Sequence, residues 1–235
     1  KEARREQILG DGRVACLPCL VNAVHDEKTL GLVNERVKES LIKLGIGKPQ
    51  GRVTLLLVDK RKLDVEAKRI HAGGNLKGLT LTKFRTVTKG NASNTTFEHR
   101  VMVLFGLPHV ECEAVLAHEY MHVWLNERFI EGSQDTVEGF CNLASAALLN
   151  KETSKLSSIL MNNMRNNPSA VMAVVTVKWK DVLARWVGPA FLPTCGQGVR
   201  KSKSGRMLVS CCLLYTSPEP TRRYASSYAV FCLKK

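Results

Sequence analysis

His118-Glu119-Tyr120-Met121-His122 places two imidazoles four residues apart with a carboxylate beside the first. Residues at i and i+4 stack on one face of a helix, so both rings can reach one ion. Neutral imidazole nitrogen is a good ligand for Zn²⁺, and this is the H-E-x-x-H spacing that catalytic zinc requires. The surrounding residues suit a helix. Leu116, Ala117, Met121 and Leu125 are strong helix formers, and neither Pro nor Gly interrupts Ala114 to Asn126. Two surface histidines on an ordinary amphipathic helix are the alternative; the rarity of the complete pattern by chance favours the metal.

A zinc site needs a third protein ligand, and Glu138 is the candidate. It follows the polar stretch Asn126 to Asp135 and opens an apolar-periodic segment through Val137, Phe140, Cys141, Leu143, Leu148 and Leu149. A helix hairpin of this kind can return a carboxylate to the open side of the histidines, and Gly139 permits close packing. Asp135-x-x-Glu138 also fits an N-cap with its capping-box partner, which needs no metal. Spacing alone does not separate the two readings.

Three stretches carry a resemblance: Val103-Leu104-Phe105-Gly106-Leu107-Pro108, then Leu116 to Leu125 around the histidines, then Val137-Glu138-Gly139-Phe140-Cys141. With Asp11-Gly12-Arg13, Cys16-x-x-Cys19 and Leu55-Leu56-Leu57-Val58 upstream, the chain resembles the C-terminal peptidase domain of the plant LIM-domain, ubiquitin-activated metallopeptidases that limit organ growth. The likeness covers most of Gly10 to Asn150 and fades beyond. It implies that His118, His122 and Glu138 bind zinc and that the activity is hydrolysis of peptide bonds. It also implies protein substrates, including regulators tied to ubiquitin signalling, although the ubiquitin-interacting motifs of full-length members are not in this stretch.

The chemistry assigned to the parts is that of zinc peptidases. Zinc polarises the substrate carbonyl and acidifies a water, while Glu119 takes the proton and passes it to the leaving amine. Asn142, four residues after Glu138, either hydrogen-bonds a ligand histidine or is plain polar surface. Tyr120 is expected to point away from the metal, and His99 and His109 are read as loop histidines without a role. Arg100 to Leu107 reads either as an edge strand able to pair with extended substrate or as a plain core strand.

Cys16-x-x-Cys19 has zinc-knuckle spacing, with His25 and Asp26 as nearby candidates to complete it. The resemblance makes residues 1–26 the remnant of a LIM-like zinc module. A second, structural zinc is expected only if that module is complete, and loose order is expected if its other ligands are missing. Two reduced structural thiols are the alternative.

The chain has 235 residues, eight cysteines and a formal net charge of +14. It shows no secretory leader pattern and no apolar run long enough to span a bilayer, so a cytoplasmic protein with access to the nucleus is expected. The cysteine spacing does not suggest a disulfide framework, and Asn91-Ala-Ser93 and Asn94-Thr-Thr96 read as polar loop. Residues 211–235 form a non-native tail: from Cys212 on the sequence reads as translated library adaptor ending in lysines. Residues 171–178 depart from the family pattern, as a local frameshift or a genuine strand would make them. The basic excess after the catalytic helices is read as a solvated face, because no nucleic-acid motif accompanies it. A DNA-associated zinc protease and a non-catalytic zinc-module adaptor are the alternative functions.

Helices are expected over Lys28 to Leu44 and over Ser154 to Arg165, and a charged helix or turn after Val58 to about Lys68. Strands are expected at Val53 to Val58 and as a pair around 78–88. The fold class is α+β: a zincin-like metallopeptidase domain over 27–210, with a small mixed sheet and an active-site helix pair.

Overall fold

The computed structural model describes residues 6–70, 72, 75–89, 91–165 and 207–211. A short hairpin of β1 (Glu6–Ile8) and β2 (Val14–Cys16) leads through α1 (Leu17–Val21) into β3 (Ala23–Val24). Then follow α2 (Glu27–Lys43), β4 (Arg52–Val58), α3 (Lys60–Arg69), β5 (Gly78–Lys89), β6 (Ala92–Leu104) and β7 (Leu107–Pro108). Next come α4 (His109–Glu127), α5 (Gln134–Leu149), α6 (Lys155–Arg165) and β8 (Met207–Cys211). Helices and small sheets are mixed along the chain, an α+β arrangement.

The helices start and stop where the side chains dictate. Asp26 caps α2 by accepting from the Thr29 amide at 2.8 Å, and Leu30, Val33, Val37 and Leu41 bury one face at helical spacing. Gly45, at φ +88°, ends it in the left-handed conformation that glycine adopts without strain, and the Ile46 amide reaches back to the Leu41 carbonyl. Asp59 caps α3 in the same way through the Lys62 amide. From Glu111 to Glu127 nearly every residue of α4 is buried, so this helix needs cover on all sides. It receives it from α2, α5, α6 and strands β5 and β6.

The main sheet has the order β4-β6-β5-β8. β6 pairs in parallel with β4 (Leu55 opposite Val101) and antiparallel with β5 (Thr80 opposite Val101). It is therefore an interior strand, and the edge-strand reading of Arg100 to Leu107 is corrected: Arg100 to Val103 are paired on both sides and cannot receive a substrate strand, while Leu107 belongs to β7. Residues 101–104 are all buried, as a strand covered on both faces must be. β6 also begins earlier than expected. Asn94 to Thr96 lie in the strand, where Thr95 and Ser93 pair their hydroxyls with Thr86 (2.9 Å) and Thr88 (3.0 Å) across the hairpin.

Residues 6–26 are tied to the body rather than loosely ordered. Asp11 accepts from the Lys60 amide at 3.1 Å at the start of α3 and forms an ion pair with Arg13. Arg13 in turn donates to the Phe105 carbonyl at 2.6 Å, and β3 pairs with β7. Cys211 closes β8 opposite Leu79, so this one residue of the expected tail belongs to the sheet. Residues 171–178 and 212–235 lie outside the described residues.

His99 is buried instead of solvated, in a polar network that joins sheet and helix. It lies between the Thr82 hydroxyl (2.9 Å) and Glu127 Oε1 (3.0 Å), and that carboxylate oxygen also accepts from the Gln50 and Gly51 amides. Asn126 completes it by donating to Thr82. A Cβ at Gly51 would stand 2.6 Å from both Cβ and the carbonyl oxygen of Phe97 and 2.9 Å from His99 Nε2. Gly51→Ala is accordingly expected to destabilise the protein by about 1–3 kcal/mol, read as a lower urea midpoint.

Candidate metal centre

α4 and α5 meet along a buried polar seam. His118 and His122 project from one face of α4, and their Nε2 atoms are 3.0 Å apart. From α5, Glu138 places Oε2 3.1 Å from His118 Nε2 and Oε1 3.5 Å from His122 Nε2. The capping reading of Glu138 is corrected: the N-cap of α5 is Ser133, which accepts from the Thr136 amide. The helix thus starts before Asp135, and Glu138 is turned into the core. Three residues further along α5, Cys141 Sγ is 3.4 Å from His122 Nδ1; Asn142 Oδ1 is 2.9 Å from His118 Nδ1; Ser145 donates to the Ala114 carbonyl. Glu138, Cys141, Asn142 and Ser145 share the face of α5 that meets α4, as spacings of three, four and seven require.

The electrostatics follow from crowding acceptors in a dry place. With Asn142 Oδ1 accepting from Nδ1–H of His118, Nε2 of that ring keeps its lone pair toward His122 and Glu138. Burial disfavours charge on His118, but the hydrogen bond and charge of Glu138, helped by Glu119 and Asn142, prevail and raise its pKa above the ordinary histidine value. Burial, and then the neighbouring His118, push His122 down to about 3 against the pull of Glu138. The site therefore favours a cation among its acceptors, a proton on His118 being the smallest. Tetrahedral zinc with ordinary bond lengths holds its donor atoms roughly 3.3 Å apart, a spacing that the three Nε2 and carboxylate separations bracket.

Donor atoms of His118, His122 and Cys141 also lie within 4.8 Å of one another. The thiol, however, faces Nδ1 of His122, behind the ring, whereas the Glu138 oxygens face the Nε2 side. Burial and then the carboxylates of Glu138 and Glu119 raise the Cys141 pKa well above the usual thiol value, keeping it protonated. His118, His122 and Glu138 are thus the donors that converge on one point. Among the described residues no second group of three or more such donors is present. Cys16 and Cys19 are thiols, His25 Nε2 is 3.0 Å from the Leu20 carbonyl, and Asp26 is spent on capping α2. Neither His25 nor Asp26 joins the cysteines.

Glu119 is fully buried next to the histidines, with Oε2 accepting from Thr80 at 2.6 Å. Tyr120 points the other way and donates to Asn34 of α2 at 2.6 Å. From sequence, Cys141 enters only as part of the Val137 to Cys141 stretch, without a role at the site, and Thr80 is not marked. Cys141 lies three residues after Glu138 and shares its helical face, a signal available in the spacing; Thr80 lies thirty-nine residues before Glu119, and no local pattern marks it. Asn142→Ala is expected to weaken zinc binding by roughly 10- to 100-fold, measured by competition against a chromogenic chelator, because the His118 ring loses the partner that orients it.

An α+β domain whose central helix turns a His-Glu-x-x-His face toward a glutamate of the next helix has the geometry of a candidate metal centre. The family model described as DA1-like, Protein DA1, matches residues 48–185, and the chain belongs to that family. Protein DA1 of Arabidopsis thaliana is 30% identical over 169 residues, 61% of this chain and 31% of that protein. LIM domain-containing protein HDR3 of Oryza sativa subsp. japonica is 27% identical over 168 residues, 61% of this chain and 33% of that protein. Protein DA1-related 1 of Arabidopsis thaliana is 26% identical over 196 residues, 73% of this chain and 35% of that protein. The chain spans about a third of the length of these curated relatives. No solved structure matches it significantly.

Proposed function

We propose that this domain is a zinc-dependent endopeptidase with a zincin-like fold, acting on protein substrates. The observation that carries the reading is the convergence of His118 Nε2, His122 Nε2 and the Glu138 carboxylate on one point, with Glu119 buried alongside. Those three side chains would hold the ion and leave a fourth position open, as in catalytic zinc sites. Bound there, zinc would acidify a water and polarise a peptide carbonyl. Glu119, not itself in the donor set, receives the proton released in the attack and returns it to the departing amine. Asn142 holds the His118 ring in the tautomer that keeps Nε2 available.

The resemblance to growth-limiting, ubiquitin-activated metallopeptidases, together with membership of the DA1-like family, supports regulators linked to ubiquitin signalling as substrates and a cytoplasmic or nuclear setting. One relative is named for its LIM domain, which supports assigning Cys16 and Cys19 to a zinc module whose remaining ligands lie outside the described donors. No helix among the described residues is long and apolar enough to cross a membrane.

The test is metal content together with cleavage. The full chain is expected to hold about one tightly bound zinc at this centre and to cleave an unfolded protein in a chelator-sensitive manner. A folded chain that takes up no zinc would overturn the reading.

A further inference from the structure

Strand β5 does more than cover α4. Alternate residues of a strand share a face, and Gly78, Thr80 and Thr82 all meet the helix. Thr82 accepts from Asn126 at 2.8 Å. Two helical turns earlier, Thr80 Oγ1 donates to Glu119 Oε2 at 2.6 Å and lies 3.3 Å from the Glu119 carbonyl. At Gly78 the strand makes room for the same carboxylate: a Cβ there would stand 2.5 Å from Glu119 Oε1 and 2.8 Å from Val115 Cγ1. Thr80 and Glu119 are both fully buried, so no solvent competes for their hydrogen bond.

We infer that Gly78 and Thr80 form a seat that aims the Glu119 carboxylate, with Thr80 a positioning residue for proton transfer. The inference rests on the peptidase reading above. A glutamate side chain has three rotatable bonds, and a proton acceptor must be held within hydrogen-bond reach of the reacting water to act. A hydroxyl on a β-branched side chain, itself on a strand paired on both edges, is a rigid donor. It fixes one carboxylate oxygen, while the missing Cβ at position 78 lets the group lie flat against the strand. Neither residue touches His118, His122 or Glu138 in the contacts that define the donor set, so the seat governs the carboxylate and not the ion.

The variant Thr80→Val keeps shape and removes the donor. In the zinc-loaded chain kcat is expected to fall roughly tenfold to a hundredfold, with KM and zinc per chain unchanged, and Thr80→Ser is expected to restore most of it. Unchanged kcat in Thr80→Val, or a loss that Thr80→Ser does not relieve, overturns the inference. If Thr80→Val does not fold, Thr80→Ala against Thr80→Ser makes the same comparison. A double-mutant cycle on thermal stability, pairing Thr80→Val with Glu119→Ala, reads the contact without any activity: non-additive effects support the seat and additive effects overturn it. A native chain that binds zinc but cleaves nothing fails the peptidase reading, and the cycle still decides whether Thr80 holds Glu119.

Discussion

On the proposed peptidase mechanism, Glu119→Gln is expected to lower peptide cleavage by roughly 10²- to 10⁴-fold and to leave zinc per chain unchanged. The substitution keeps the size of the side chain, so the buried space against β5 stays filled, and the amide oxygen still accepts from Thr80. What is lost is basicity: an amide cannot take the proton released when water attacks. The metal is expected to be retained because the proposed donor set is His118, His122 and Glu138, and Glu119 contributes no atom to it. Atomic spectroscopy and initial cleavage rates on the same preparation read both halves of the result. Full activity in a zinc-loaded Glu119→Gln chain would assign proton transfer elsewhere. A physiological role untouched by the substitution would favour an adaptor whose zinc sites only bind partners.

How much of this was legible in the sequence depends on the range of each interaction. The face shared by His118 and His122 is a local matter of 3.6 residues per turn, and the residues around it are helix formers, so the pair was visible at once. The start of α5 was harder. Ser133 and Asp135 are both good capping residues two positions apart, and the choice decides whether Glu138 ends the first turn at the surface or faces α4. In the structure Ser133 is the cap, so Glu138 lies beyond the first turn, and the face holding Glu138, Cys141, Asn142 and Ser145 meets the polar seam of α4.

Strand placement was ambiguous for a different reason. Val101 to Leu104 are apolar without alternation, a pattern that any doubly covered strand produces, and nothing local says whether the cover is protein or ligand. β5 is the hairpin neighbour of β6, with Lys89 opposite Ala92, but the parallel partner that makes β6 interior, β4, pairs with it across 46 residues (Leu55 opposite Val101), a separation that local patterns do not report. The same holds for His99. Its partners Thr82 and Glu127 lie 17 and 28 residues away, so a buried network looked like a lone loop histidine. Local chemistry was readable in this chain; of the tertiary partners that orient it, Asn142 was among the candidates, whereas Thr80, Thr82 and Glu127 were not.

Zinc affinity is expected to rise with pH through the acidic and neutral range and then level off. Nε2 of both histidines must be unprotonated to bind metal. His122, pushed down to about 3, does not compete in that range. His118 does, because Glu138 raises its pKa. In the metal-free protein, the protonated His118 paired with Glu138 therefore contributes stability that is fully present below the unfolded histidine value and is lost as pH rises through the raised folded value. Over that same rise the proton stops competing and zinc would take the position, so stabilisation by added metal is expected to grow as stabilisation by the proton fades. Glu138→Gln removes both the charge that raises the His118 pKa and an oxygen of the proposed donor set. Burial then dominates at His118, flattening the pH dependence, while affinity falls by more than the roughly 10- to 100-fold expected for losing a ligand's hydrogen-bond partner. Calorimetric titration with zinc in buffers of different ionisation enthalpy measures both. The native chain should release about one proton per zinc below the raised pKa, and Glu138→Gln should release less. A native titration with no proton release across that range would show that His118 does not hold the proton that the geometry assigns to it.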